Sequence, residues 1–221
     1  MLSLYRDTNF AISRLITRKY STSFSLGILA FQPSFRAPIY SIYGFVRYAD
    51  EIVDTFHDQD KQALLARFRA DTFQAIEEKI SLNPILHSFQ WVVNTFQIGH
   101  DLIDAFLVSM EMDLTDRVYD VETYKTYIYG SAEVVGLMCL RVFCLGDSAQ
   151  YDFLRADACA LGSAFQKINF LRDIKSDFDE RGRVYFPGVN FETFSDTEKK
   201  EIEADIQLDF DAGLRGIENL P

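Results

Sequence analysis

The chain has 221 residues, of which 48% are apolar and 25% charged, and its net charge is −11. That length and apolar share are enough for a full core and argue against disorder. The negative balance argues against nucleic-acid binding, which needs a basic surface, but an acidic protein still binds diphosphates if it recruits metal ions first.

Residues 1–26 read as helical, with Phe10, Ile12, Leu15 and Ile16 as a partial apolar stripe. Tyr20-Ser21-Thr22-Ser23-Phe24 follow. Small hydroxyl residues disfavour a helix interior yet offer donors to an anion near a helix end. A plain helix stop and loop also explains them. Pro33 and Pro38 are expected to bound a loop, with a helix over Tyr40–Phe56 after it. On that helix Tyr43, Arg47, Asp50 and Asp54 lie within roughly 60° of arc. Phe45, Ala49, Ile52, Val53 and Phe56 occupy the far side, the expected buried stripe.

Residues 59–80 read as a surface helix, and Asn83-Pro84 as a break. Helices are predicted over about 85–97 and 100–116, and one long helix from Val121 to Phe143. The last contains Gly130, Ala132 and Gly136. A mid-helix glycine costs up to about 1 kcal/mol relative to alanine, so a close approach should offset it. Tight helix packing is one such explanation. Cys139, Cys144 and Cys159 are odd in number and lie in apolar helical text, which suits reduced thiols better than a disulfide framework. No Cys or His cluster has zinc spacing.

Residues 151–181 form a second notable helix. Gln166, Asn169, Asp173 and Asp177 fall within roughly 80° of arc there, with Arg172 on the flank. Taken alone, an acidic face is more often simply solvated charge. Carboxylates one turn apart repel by a few tenths of about 1 kcal/mol on an exposed helix, and a hard cation such as Mg²⁺ removes that penalty. Two helices, each with an Asp pair at i, i+4 and an Arg nearby, are a far more specific signal than one. Opposed across a cavity, the two faces would chelate metal ions that hold a diphosphate. Gly182 to Pro187 then makes a flap-like turn, and Asp196 to Leu220 an acidic helix with Ile202, Ile206, Phe210 and Leu214 on one face.

Asp50-Glu51-Ile52-Val53-Asp54 and Asn169 through Asp177 resemble the two aspartate-rich motifs of the squalene and phytoene synthase family, and bacterial phytoene synthases most. The resemblance extends to Tyr20–Phe24, Tyr129–Gly136 and Gly182–Pro187, covering nearly the whole chain in order. It implies an all-α fold, a single-domain isoprenoid synthase-type helical bundle around a central cavity. The family usually continues for further C-terminal helices, so the chain is expected to lack those.

The resemblance also implies an activity: head-to-head condensation of two prenyl diphosphates. Geranylgeranyl diphosphate to phytoene is the leading form. Squalene or dehydrosqualene synthesis from farnesyl diphosphate is the alternative, and a non-catalytic assembly protein a third. The implied catalytic residues are Asp50, Asp54, Asp173 and Asp177, and with Asn169 they are the implied metal ligands. Tyr20, Ser21, Thr22, Ser23, Tyr43, Arg47, Gln166 and Arg172 are the implied substrate contacts. The implied cofactor is Mg²⁺, with Mn²⁺ a workable substitute; NADPH enters only for a squalene synthase. Asp113 is expected to be structural or to support a site residue from behind. Tyr129 and Tyr185 suit either a cavity wall or core packing. Glu133 departs from the family pattern, where a small residue is common, and could supply a proton acceptor or a salt-bridge partner.

The N-terminus lacks an apolar segment and carries Asp7, and the run Val134 to Leu145 is broken by Arg141 and too short to span a bilayer. The expectation is a cytoplasmic protein, with peripheral membrane contact compatible with a lipid substrate. Nucleic acid is not expected as a partner, and oligomeric state is not legible.

Overall fold

A computed structural model describes residues 2–115, 119–181, 185–189 and 194–221, with side chains in the 148–181 helix described as far as residue 175. All regular structure among the described residues is helical. The elements are α1 (Leu2–Tyr20), α2 (Thr22–Ala30), α3 (Pro33–Asp54), α4 (Lys61–Glu78), α5 (Pro84–Phe96), α6 (His100–Thr115), α7 (Val121–Ile128), a π-helical turn (Tyr129–Glu133), α8 (Val134–Phe143), α9 (Ser148–Arg181) and α10 (Asp196–Glu218). The chain divides into two compact units, residues 1–100 with 141–147, and residues 101–140 with 148–221.

In the first unit the core is built on an aromatic stack. Phe45 of α3 is fully buried, and its ring lies parallel to that of Phe89 on α5 at 3.9 Å. Phe68 of α4 stacks on the other side at 5.6 Å. The α3 stripe of Phe45, Ala49, Ile52 and Val53 is buried as expected, but Phe56 lies past the helix end and is exposed. The expected loop between Pro33 and Pro38 is helix instead. Pro33 takes the first helical position, where its missing N–H would have had no partner. Pro38 sits one turn further on, so the ladder loses a single bond near its start.

In α1, Phe10, Ile12 and Ile16 of the expected partial stripe are partly buried, but the fully buried side is polar. Its buried positions are Asn9, Ser13 and Thr17, spaced four apart, whereas Leu15 is exposed. The reason is a close approach that only small residues permit. Ser13 Oγ hydrogen-bonds Ser88 Oγ of α5 at 2.8 Å, and Thr17 Oγ1 donates to the Ser13 carbonyl at 2.9 Å. Gly44 of α3 faces the same spot, where a Cβ would come 3.2 Å from Ser13 Oγ. Satisfied hydroxyls can be buried at little cost, so the apolar period misleads there.

The predicted Val121–Phe143 helix, most of it in the second unit, is continuous but underwound once. The Val134 N–H donates to the Tyr129 carbonyl, five residues back. Such π turns recur at functional sites and insert one residue into the ladder. Here the turn is clamped by backbone on both sides. A Cβ on Gly130 would lie 2.5 Å from the Ala105 carbonyl oxygen of α6, and one on Gly162 of α9 would lie 2.9 Å from the Ala132 carbonyl oxygen. Packing therefore accounts for Gly130, and equally for Gly136, whose Cβ would meet the Ala158 carbonyl at 3.0 Å.

An aromatic cluster closes the other end of the unit. Phe170 stacks on Tyr185 at 4.0 Å, with Tyr127 and Tyr119 against Tyr185. Tyr185 is buried within this cluster. Asp113 is buried and accepts the Tyr127 hydroxyl on both carboxylate oxygens, at 3.0 and 2.9 Å, which gives it the structural role expected of it. Burial, with the Asp113 charge beside it, pushes the Tyr127 hydroxyl well above its ordinary pKa, so it stays a donor.

Candidate functional site

The first motif occupies one partly buried face of α3: Tyr43, Arg47, Asp50 and Asp54. The break between α1 and α2 supplies its polar neighbours. Ser21 is the N-cap of α2, its hydroxyl accepting from the Phe24 N–H at 3.2 Å. Thr22 and Ser23 are exposed in the first turn. Helix N-termini present unsatisfied N–H groups to anions, so this segment suits a phosphate contact. Tyr43 is pushed above the ordinary tyrosine range by burial, which outweighs the opposing Arg47 charge and a hydrogen bond with Ser21.

Arg47 is the most constrained side chain of the group. Its Nη2 donates to Glu51 Oε2 at 2.5 Å, and its guanidinium carbon lies 4.5 Å from the Tyr20 ring centroid. Its Nε is buried with no hydrogen-bond partner. A buried guanidinium donor without an acceptor is costly, and an anion oxygen would relieve that cost. Burial alone would raise the Glu51 carboxyl, but hydrogen bonds from Thr55, Arg47 and Tyr20 and the Arg47 charge hold it below its ordinary range. Glu51 was missed in the sequence, although Arg at i and Glu at i+4 on one helix was the signal for it.

The second motif lies along α9. Gln166 is partly buried, and its Nε2 donates to Ser131 Oγ of the π turn at 3.2 Å. Asn169 is exposed. Arg172 lies on the flank of that face and is paired. It grips Asp173 with both forks, Nε to Oδ1 at 2.8 Å and Nη2 to Oδ2. Arg172 is largely exposed, so this neighbour pair is weak and open to exchange with an anion. The side chain of Asp177, and Gly182 to Val184 of the expected flap, lie outside the described residues.

Glu133 of the π turn accepts the Ser163 hydroxyl at 2.6 Å. The Cys159 thiol is pushed up to about 12 by burial and then by the Glu133 charge and hydrogen bond. Cys139 is pushed up to about 12 by burial alone. Both are inert thiols at neutral pH. Lys167, also unforeseen, bridges α9 to α10 through Asp205 and Asp209 at 2.5 and 2.7 Å. A cleft of about 340 Å³ between Tyr124, Phe186, Ile202 and Glu201 contains none of the expected site residues.

Among the described residues no three His, Cys, Asp or Glu side chains gather closely enough to hold an ion by themselves. The donor chemistry nevertheless fits magnesium. Asp50 and Asp54 are hard oxygen donors one turn apart on the face that carries the unsatisfied Arg47 Nε, an arrangement suited to a cation shared with a phosphate. Among the described residues no helix is long and apolar enough to cross a membrane.

Residues 17–215 match the squalene/phytoene synthase family. The chain belongs to that family. Both aspartate-rich motifs fall within the matched span. The chain is 30% identical over 183 residues to the 15-cis-phytoene synthase of Enterobacter agglomerans, covering 76% of this chain and 59% of that protein. It is 32% identical over 168 residues to the presqualene diphosphate synthase of Sinorhizobium fredii, covering 75% of this chain and 58% of that one. It thus spans under two-thirds of the length of these curated relatives. The squalene synthase HpnC from Alicyclobacillus acidocaldarius superposes with a TM-score of 0.85 at 23% identity, over 99% of this chain and 86% of that one. A dehydrosqualene synthase crystallised with a ligand gives 0.84 at 21% identity, over 98% of this chain and 79% of that one. The all-α fold is the one these isoprenoid synthases share.

Proposed function

We propose that this protein is a magnesium-dependent prenyl transferase that condenses two prenyl diphosphates head to head, with geranylgeranyl diphosphate to phytoene as the leading case. The observation that carries the proposal is the α3 face, where Asp50, Asp54 and Tyr43 stand beside an Arg47 whose buried Nε lacks an acceptor. Family membership and the phytoene synthase relatives support it.

Loss of diphosphate builds negative charge on the leaving group, so positive charge must be in place beforehand. Magnesium held by Asp50, Asp54, Asn169, Asp173 and Asp177 would supply that charge. Arg47 and Arg172 would donate to phosphate oxygens in their forked geometry, with Arg172 exchanging Asp173 for the substrate. Tyr43, Gln166 and the Tyr20–Ser23 segment would complete the diphosphate contacts. The allylic cation left behind needs a dry, aromatic surround that offers no nucleophile, and 20 Phe and 11 Tyr suit that demand.

A squalene-type reaction is the second reading, favoured by the 32% identity to a presqualene diphosphate synthase. The non-catalytic reading is disfavoured because both Asp pairs are present. Incubating the protein with Mg²⁺ and farnesyl or geranylgeranyl diphosphate, with and without NADPH, decides between them by mass analysis of the hydrocarbon. A C40 hydrocarbon formed without NADPH is the expected result. A C30 hydrocarbon would select the second reading, and no condensation product from either substrate would end the proposal.

A further inference from the structure

Glu51 is where the polar contacts of the first motif converge. Its carboxylate receives Arg47 Nη2 at 2.5 Å, and the nearby Thr55 and Tyr20 help to hold it charged. The Tyr20 ring in turn lies over the Arg47 guanidinium, 4.5 Å from its carbon. Arg47 is thus held at one nitrogen and covered on one face, while its buried Nε has no partner. The two side chains are 26% and 20% exposed, so this is not an ordinary surface pair at i, i+4. Solvated pairs of that kind are weak and leave both side chains mobile. Here a half-buried setting, a direct hydrogen bond to the carboxylate and a ring over the cation define one geometry. Arginine is rich in rotamer entropy, and a guanidinium fixed beforehand loses less of it on meeting an anion.

We propose that Glu51 is a positioning residue: it holds the Arg47 guanidinium beneath Tyr20 so that Nε is presented to a substrate phosphate oxygen. The role rests on the diphosphate reading given above and deepens it. The opposite role is physically distinct. A carboxylate beside Arg47 that merely neutralised it would compete with phosphate, and its removal would then strengthen anion binding. The sign of the effect separates the two.

The test is calorimetric titration of inorganic pyrophosphate, with Mg²⁺ present, into the parent protein and its variants. The parent should bind. Glu51→Ala should weaken binding by about tenfold or more, as for loss of a charge-assisted hydrogen bond. Glu51→Gln keeps an acceptor oxygen in place and should stay within about threefold of the parent. In an Arg47→Ala background, Glu51→Ala should have no further effect, because its influence passes through Arg47. Tighter binding by Glu51→Ala would overturn the proposal in favour of the competing counter-ion. An equal loss in the Arg47→Ala background would overturn it in favour of general structural damage. Should Glu51→Ala fail to fold, Glu51→Asp withdraws the carboxylate by one methylene and should weaken binding; parent-like binding would overturn the proposal. A parent that does not bind pyrophosphate brings down the diphosphate reading itself, whereas a binding parent with indifferent Glu51 variants brings down only the positioning role.

Discussion

Asp50→Ala is expected to lower turnover of prenyl diphosphate by about 10³-fold or more, which corresponds to about 4 kcal/mol of transition-state stabilisation. The magnitude follows from the proposed role. A hard cation placed on the leaving diphosphate needs anionic oxygen ligands, and one lost carboxylate removes both a ligand and a unit of charge. Folding should hardly notice. Asp50 is only partly buried on α3, and alanine is the better helix former, so stability should stay within about 0.5 kcal/mol of the parent. Asp173→Ala should behave alike on α9, because the neighbour ion pair with the largely exposed Arg172 contributes little. Turnover and circular dichroism on the same samples check both halves. Parent-like turnover in either variant would remove that residue from the site, and loss of fold with loss of turnover would make its role structural.

Gly130→Ala should destabilise the fold by about 3 kcal/mol, a fall in melting temperature of roughly 6–12 °C. The added Cβ would sit 2.5 Å from the Ala105 carbonyl oxygen and 2.7 Å from the Ser109 Cβ. Neither can step aside cheaply, since one is backbone in α6 and the other is short. Gly162 approaches the Ala132 carbonyl from α9, so the π turn has no room to retreat. Gly27→Ala is the matched control. It lies in α2 with nothing within 4 Å of the added carbon, so it should be neutral or stabilising by up to about 1 kcal/mol. Thermal melts of the two variants should therefore move in opposite directions or differ widely. Equal shifts would mean that the backbone contact at Gly130 is not the constraint.

Most helices were legible because their apolar period and their punctuation agree. Asn83 with Pro84 marks the start of α5 as read, and its side chain caps the Ile85 N–H at 3.0 Å. The first motif was legible for the same reason: Phe45, Ala49, Ile52 and Val53 bury one side of α3, and the acidic face follows by geometry. Three features were not legible. The buried side of α1 is polar at Asn9, Ser13 and Thr17, of which Ser13 and Thr17 pack by size and hydroxyl pairing, which hydropathy does not register. The π turn leaves no compositional mark, since it depends on Gly130 and Gly162 meeting carbonyls far away in sequence. Lys167 reaches Asp205 and Asp209 across about forty positions, so no local spacing announces it. Glu51 differs from these. Its i, i+4 spacing to Arg47 is plain in the sequence, but it lies between Asp50 and Asp54, which carry the motif pattern.

The most direct test of the central claim is a melting curve taken with Mg²⁺, with inorganic pyrophosphate, and with both. Both aspartate-rich motifs serving one metal–diphosphate complex predicts a rise in melting temperature only when the two are added together, because a ligand that binds only the folded state stabilises it by an amount set by its concentration relative to its Kd. The same rise should be lost in Asp50→Ala and in Asp173→Ala separately. A curve unmoved by the pair together, or a rise that survives in either variant, would contradict the account.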